Sequence, residues 1–130
     1  MSVPTSWWED LQGNVVERIR VTGSVTATKG TLPITVTLTL IINGQEVGIT
    51  KTITINQLNA PQSFDDMIYT LPPPEPSKFT DGQQVTFRVK VKGTASNQYG
   101  TYTAESNEIQ ITLVARVPAP PEIEITITPA

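Results

Sequence analysis

Hydrophobic and polar residues alternate with a period of two along much of this chain. Successive side chains of a β-strand point to opposite faces, so an alternating segment has one face suited to a protein core and one suited to water. Threonine fills many of the water-facing positions, and its branched side chain favours extended backbone. The segments with this pattern are 16–28, 34–42, 85–92 and 109–113.

The apolar faces of these segments predict one shared interior. The side chains that we expect to meet there include Val36, Leu38, Phe87, Val89, Ile109 and Ile111. The other face of segment 34–42 carries Thr35, Thr37, Thr39 and Ile41, and we expect that face to contact solvent. Sheets with one solvated face are usually antiparallel, which predicts antiparallel pairing here.

Turn signals separate these segments and predict further strands. Asn43-Gly44 is a strong hairpin signal because both residues accept a positive φ, and it predicts a second strand over about 45–56. Four prolines between 72 and 76 form a stiff connection from a strand near 64–71 to one that begins at Gln83. A single helical turn is predicted over 6–11, with Ser6 as its cap and Glu9 completing a capping box.

About seven short strands with turns every few residues are typical of a β-sandwich. The predicted fold class is therefore an all-β, antiparallel two-sheet sandwich with an N-terminal arm and an extra C-terminal strand. The arm covers 1–13, the sandwich 14–116, and a proline-rich spacer with the extra strand covers 117–130.

Two stretches resemble known families of β-sandwich modules. Residues 85–114, VTFRVKVKGTASNQYGTYTAESNEIQITLV, resemble the last two strands of a fibronectin type III domain: an aromatic–Arg–Val run, a Gly-containing loop, Ser-Asn and a closing alternating strand. Residues 34–55, ITVTLTLIINGQEVGITKTITI, are similar to the middle hairpin of CARDB-like adhesion modules. These resemblances imply an immunoglobulin-like sandwich with a binding or spacer role, and they transfer no functional residue.

Composition argues against most enzyme chemistry. The 130 residues include no cysteine and no histidine, which removes disulfides, thiolate nucleophiles, the commonest general base and the commonest zinc ligand. The net charge of −3, with scattered Lys and Arg, disfavours nucleic-acid binding. We expect no enzymatic activity and no cofactor.

The sequence also gives expectations about location. The first residues have neither the basic start nor the apolar run of a signal peptide, and threonines interrupt every apolar segment before it reaches membrane-spanning length. We expect a protein that is made in the cytoplasm, does not insert into membranes, and reaches a virion or the extracellular space by assembly or release. A fragment whose signal was removed is the alternative.

The two ends of the chain are the strongest candidates for partner binding. Trp7 and Trp8 are adjacent and must point to opposite sides of an extended backbone, so they could anchor a neighbouring subunit, cap one end of the sandwich, or stack on a sugar. Segment 122–128 alternates again and presents Ile123, Ile125 and Ile127 on one face. It could fold back as an edge strand, pair with a neighbouring subunit, or begin a following domain.

Three other sites have a functional and an ordinary interpretation. Segment 94–103 is predicted as a loop between the last two strands, and Tyr99 and Tyr102 give it the character of a recognition surface. Asp65-Asp66 is interpreted as a solvated turn or an edge charge rather than a calcium site, because neighbouring strand residues diverge. Glu105 and Glu108 are interpreted as surface carboxylates and not as a glycosidase pair.

Two functions from different classes follow. The first is a non-catalytic structural protein, such as a capsid decoration protein, a virion tail component or a surface-filament subunit, whose termini contact copies of itself or other subunits. The second is an extracellular ligand- or carbohydrate-binding adhesion module from a larger surface protein.

Overall fold

The alternating segments form strands in the computed structural model, which describes residues 5–129. The described residues contain no helix. The strands are β1 (Trp7–Glu9), β2 (Val15–Val16), β3 (Arg18–Val25), β4 (Ile34–Ile42), β5 (Gln45–Ile55), β6 (Gln62–Thr70), β7 (Gln84–Asn97), β8 (Gly100–Glu105) and β9 (Ile109–Arg116).

These strands form two antiparallel sheets of unequal size. The larger sheet has seven strands in the order β2-β1-β9-β7-β4-β5, and β8 also pairs with β7. Among residues 5–129, the smaller sheet consists of β3 and β6. The long strand β7 pairs with β9 along its first half and with β8 along its second half, so β8 and β9 lie end to end on the same edge of β7. The predicted all-β, two-sheet class is confirmed.

The hairpin predicted at Asn43-Gly44 joins β4 to β5. Both residues have positive φ, 53° for Asn43 and 79° for Gly44, as a two-residue type I′ turn requires. The Asn43 side-chain oxygen accepts a hydrogen bond of 2.9 Å from the Arg88 backbone N–H, which ties the turn to β7.

The core lies between the two sheets, and most of the predicted interior residues reach it. Val36, Leu38, Phe87 and Val89 are buried. Ile111 is only partly buried, and Ile109 is 42% exposed although its partner Val89 is fully buried. The prediction for Ile109 is therefore wrong in burial, because no strand of the smaller sheet covers the start of β9.

The predicted solvent face of β4 also needs one correction. Thr35 and Thr37 are exposed, but Ile41 is buried, with 6% of its surface accessible. Its register neighbours are Glu46 on β5 and Lys90 on β7, and the register of β4 on β5 shifts between Thr39 and Ile41. The long side chains on either side shelter this isoleucine from water.

Two local predictions are wrong. The helical turn expected over 6–11 is instead strand β1, because its pairing with β2 and β9 buries Trp8. The loop expected over 94–103 is instead a hairpin: β7 continues to Asn97 and β8 returns from Gly100. The alternation TYT at 101–103 is part of β8.

One glycine is needed for the contact between the two strands of the smaller sheet. The β3–β6 register shifts between Val21 and Gly23, and the Phe64 ring lies over Gly23. A Cβ atom at this position would come within 2.8 Å of the Phe64 ring, so a larger residue would displace the aromatic side chain.

Candidate assembly site

The C-terminal tail, residues 118–129, contains no strand and pairs with neither sheet. Its isoleucines are among the most exposed large apolar side chains of the described residues: Ile123 is 81% exposed, Ile125 79% and Ile127 89%. The tail therefore does not fold back as an edge strand of its own domain. Apolar side chains exposed together in this way are typical of surfaces that bind a partner.

Arg116 and Val117, which directly precede the tail and form its base, are held in place by the domain. The Arg116 Nε donates to Glu9 Oε1 at 3.1 Å, and its Nη1 lies 3.8 Å from Asp81 Oδ2. The backbone N–H of Val117 donates to Asp81 Oδ1 at 3.2 Å, and the Val117 side chain is buried. Val117 thus belongs to the domain rather than to the predicted spacer. The prolines at 118, 120 and 121 then stiffen the chain that follows.

The Glu9 carboxylate links the residues that hold the start of the tail in place. The Trp7 indole N–H donates to Glu9 Oε2 at 2.8 Å, and Arg116 donates to the other oxygen. Both hydrogen bonds stabilise the charged form, and together they hold the pKa of Glu9 below its ordinary value of 4.5. The first strand and the last strand are thereby held together next to the point where the tail begins.

Trp7 and Trp8 have different environments. Trp8 is buried, its indole N–H donates to the Pro72 carbonyl at 2.8 Å, and its ring packs edge to face against Phe79. This corrects the prediction that Trp8 binds a partner, because its side chain is occupied by the core of its own domain. Trp7 lies on the other side of β1 and is 42% exposed.

A groove opens between the two sheets on the side away from the tail base. It consists of two adjoining depressions of about 480 and 550 Å³ that share Val25, Thr26, Gly93 and Ala104 among their lining residues. One wall is β3 and the residues after it, and the other is β8 with the start of β9. Core side chains, including Val36, Leu38 and Val91, lie at its floor.

Two unpaired strand edges border this groove. Within the described part of the chain, β3 pairs only with β6, and β8 pairs only with β7. Each strand therefore has a second edge whose backbone N–H and C=O groups are available for pairing. Such edges are ready sites for strand addition.

Small residues make the groove deep at its β8 end. The inward-facing positions of β7 and β8 there are Gly93, Ala95 and Ala104, whereas the inward positions earlier on β7 are Phe87, Val89 and Val91. Gly93 pairs directly with Ala104, so neither side of that pair fills the space between the sheets. Sequence reasoning missed this groove, although the change from large to small residues along one strand face was its signal.

Tyr99 and Tyr102 lie close to this groove. Tyr102 pairs with Ala95 and lines one of the two depressions, and Tyr99 occupies the turn of the β7–β8 hairpin. Both rings are mostly exposed, at 75% for Tyr99 and 73% for Tyr102. The structure therefore places the two tyrosines together at one end of the groove and leaves them free to contact a partner.

The acidic residues considered as alternative sites lie on strand surfaces. Asp65 and Asp66 are exposed on β6 rather than in a turn, and Asp66 lies 3.5 Å from Arg20 on β3. Glu105 contacts Lys90 at 2.7 Å, which raises the pKa of that lysine, and Glu108 lies 4.0 Å from Arg88. Among residues 5–129, no three acidic side chains converge on a position where they could hold a metal ion.

Comparisons with protein-family models, with curated proteins and with solved structures find no match to this chain. The fold consists of two antiparallel sheets of unequal size and is compatible with a β-sandwich. In the part of the chain that the structure describes, no helix is long and apolar enough to cross a membrane.

Proposed function

We propose that this protein is a non-catalytic structural subunit that assembles with copies of itself through its C-terminal tail. The observation that carries the proposal is the exposure of Ile123, Ile125 and Ile127 on a tail that starts from a fixed base. Apolar side chains are unfavourable in water. Burial of these three isoleucines against a partner would stabilise a complex by about 25 cal/mol per Å² of apolar surface removed from water.

The sheet arrangement supports an immunoglobulin-like assignment within the sandwich class. In that fold one sheet has the strand order C′-C-F-G and the other contains the neighbours B and E. The order β5-β4-β7-β9 in the larger sheet and the pair β3-β6 in the smaller sheet correspond to these positions, and the correspondence also holds in chain order. Modules of this kind serve as rigid spacers and assembly units as well as binding domains.

A capsid decoration protein, a virion tail component or a surface-filament subunit would use these features. Each repeats one rigid domain many times and joins the copies through exposed segments. We propose that the chain is made in the cytoplasm and acts in a virion or outside the cell. Its partners are protein subunits rather than nucleic acid or membrane, because the net charge of −3 disfavours binding to phosphate groups.

The experiment that tests this proposal compares the mass of the full chain in solution with that of two variants. Ile123→Thr/Ile125→Thr/Ile127→Thr keeps β-branched residues but removes the apolar face of the tail. Leu11→Thr/Val15→Thr is the matched control, because Leu11 and Val15 are also exposed apolar residues but lie outside the tail. Sedimentation velocity over a range of concentrations measures the assembly of each.

We expect the full chain and the control to form oligomers and the tail variant to remain a monomer with an unchanged circular dichroism spectrum. A full chain that stays monomeric at every concentration would contradict the proposal, as would oligomers that form equally well without the three isoleucines.

The second candidate is a ligand- or carbohydrate-binding module, and the exposed Tyr99 and Tyr102 rings favour it. Aromatic rings at one end of a sandwich provide flat apolar surfaces for stacking. Glycan-array binding that is lost in Tyr99→Ala/Tyr102→Ala, but is retained in the triple threonine variant, would support this function instead.

A further inference from the structure

We infer that the tail of one copy inserts as a β-strand along the free edge of β3 in a second copy, in the groove between β3 and β8. This inference rests on the proposed function and adds to it the acceptor surface, the direction of the inserted strand and its register. Residues 122–128 of the donor would become an additional strand of the acceptor's smaller sheet.

The first argument is backbone pairing. The acceptor groove has an unpaired edge on β3 and a second on β8, both within the described chain. The donor tail belongs to no strand, so its own backbone groups are available as well. Addition of an extended segment to an exposed edge satisfies both sets of groups at once.

The second argument is side-chain complementarity. The donor alternates strictly, with Ile123, Ile125 and Ile127 on one face and Glu122, Glu124, Thr126 and Thr128 on the other. An inserted strand would direct the isoleucines to the groove floor and the polar residues to water. The floor offers apolar side chains and the space left by Gly93, Ala95 and Ala104, which is where bulky side chains are missing from the core.

The third argument is the incomplete smaller sheet. In an immunoglobulin-like sandwich the sheet that contains B and E also has strand A beside B. Here β3 takes the position of B, and within residues 5–129 its outer edge is unpaired. Strand A runs antiparallel to B in this arrangement, so we assign the same direction to the inserted tail.

With this direction and the isoleucines facing the groove, we assign the register that uses the groove wall from Gly23 to Ala27. An antiparallel tail that enters from the end of β3 places Ile123 beside Ala27, Ile125 beside Val25 and Ile127 beside Gly23. The inserted face spans roughly 13 Å, from four residue steps of about 3.3 Å each, and it lies within the length of the groove wall from Val21 to Lys29. Glu122 then lies near Lys29, an opposite charge at the entrance of the groove.

The geometry favours a second copy over the tail's own groove. Strand β9 begins at Ile109 beside the groove and ends at Arg116, so the tail base is displaced from the groove by about 25 Å of strand. Because β9 runs from the groove toward Arg116, a tail that returned to the groove of its own domain would have to reverse the direction of β9. Three prolines in the first four tail residues oppose such a reversal.

The test uses disulfide formation between full-length chains, and the cysteine-free sequence gives it no background. One chain carries Glu124→Cys, and a second carries Thr26→Cys, which the register places opposite on the solvent side. Thr37→Cys on the exposed face of β4 is the control acceptor. Disulfides need Cα atoms within about 7 Å, so a tail seated in this register should form the bond far more efficiently than a random encounter does. Mass spectrometry of the mixed, oxidised chains identifies the linked peptides.

We expect a dimer linked between residues 124 and 26, and only background linkage to residue 37. Oligomers in sedimentation with no preference for residue 26 would overturn the inference while leaving the proposed function intact. A full chain that never assembles would instead refute the proposed function. A monomer closed by a disulfide in the doubly substituted Thr26→Cys/Glu124→Cys chain would also overturn the inference, because the tail would then fill its own groove.

A second variant tests the groove without cysteines. Ala104→Leu adds a bulky side chain at a position that is exposed in the isolated chain and faces the groove, so the domain should fold with an unchanged melting temperature. We expect this variant to lose assembly as an acceptor but to remain a competent donor to the unsubstituted chain. Full self-assembly of Ala104→Leu would show that the tail binds elsewhere.

Discussion

Trp8 and Phe87 pack edge to face in the core, with ring centroids 5.2 Å apart and planes inclined at 81°. The Phe79 ring also packs edge to face against this indole, with ring centroids 5.3 Å apart. The first strand is thus fixed to the domain by an aromatic cluster, and β9, which pairs with it, is fixed at the point where the tail begins. A rigid domain with a defined tail exit is the physical basis of the proposed assembly.

We expect the two adjacent tryptophans to differ strongly in their effect on stability. Trp8→Ala removes the centre of the aromatic cluster and a hydrogen bond to Pro72, and should lower the free energy of unfolding by about 3–5 kcal/mol. Trp7→Ala should cost much less, because the Trp7 ring is partly exposed. Urea denaturation measures both. Equal losses would mean that Trp7 is also buried in solution, for example by a neighbouring copy.

The two faces of β4 provide a second comparison. Leu38→Ala creates a cavity in the buried core and should cost about 2–5 kcal/mol of unfolding free energy. Thr37→Ala, the adjacent residue on the exposed face, should cost well under about 1 kcal/mol. Chemical denaturation again provides the measurement. A large loss at Thr37 would indicate that the outer face of the larger sheet is covered by a partner.

Some parts of this fold could be predicted from the sequence, and others could not. Alternation placed β4, the Asn43-Gly44 turn and most of the buried face of β7 correctly, because a period of two and a turn that requires positive φ are local properties. The prediction for Ile109 is wrong because this residue lines the groove, where the other sheet leaves it uncovered. The sequence does not show which of Trp7 and Trp8 is buried, because adjacent strand residues point to opposite faces in either case. Only the pairing of β1 determines which of the two enters the core.

Glu9 should make stability depend on pH in the acid range. Its pKa is lowered in the folded state by hydrogen bonds from Trp7 and Arg116, so the folded state favours the charged carboxylate. The resulting stabilisation is present above the ordinary pKa of 4.5 and is lost as the pH falls through that value toward the lower folded pKa. Melting temperatures between pH 6 and pH 3, about the range where carboxylates titrate, measure the loss.

The Glu9→Gln variant isolates this contribution. It should be less stable than the unsubstituted chain at neutral pH, and the difference should shrink on acidification. Glu17→Gln is the control, because Glu17 is exposed and is in none of the ion pairs of the described residues. A difference between Glu9→Gln and the unsubstituted chain that stays constant down to pH 3 would show that Glu9 titrates as an ordinary surface carboxylate.

We expect calcium to leave the melting temperature unchanged. Asp65 and Asp66 are both exposed where the register of β6 on β3 shifts, but no third acidic side chain of the described residues joins them to complete a calcium site. Differential scanning fluorimetry with and without millimolar calcium tests this for the full chain and for Asp65→Asn/Asp66→Asn. A calcium-dependent rise that disappears in the double variant would establish a metal site at this position.

The boundary between the domain and its tail gives the last prediction. A chain that ends at Val117 should unfold at the same denaturant concentration as the full chain, when both are dilute enough to be monomeric, because the described tail residues pair with neither sheet. A chain that ends at Val114 also loses the buried Ala115 and Val117 side chains, and should be less stable by at least about 2 kcal/mol.

Tryptophan fluorescence provides an independent readout of the same boundary. Ala115 is the direct strand partner of Trp8, so its removal should expose the indole and shift its emission to longer wavelength, whereas the chain that ends at Val117 should keep the emission of the full chain. If the shorter truncation at Val117 already destabilised the dilute monomer, the tail would contribute to its own domain. The isoleucines would then act within one chain, and assembly through the tail would lose its structural support.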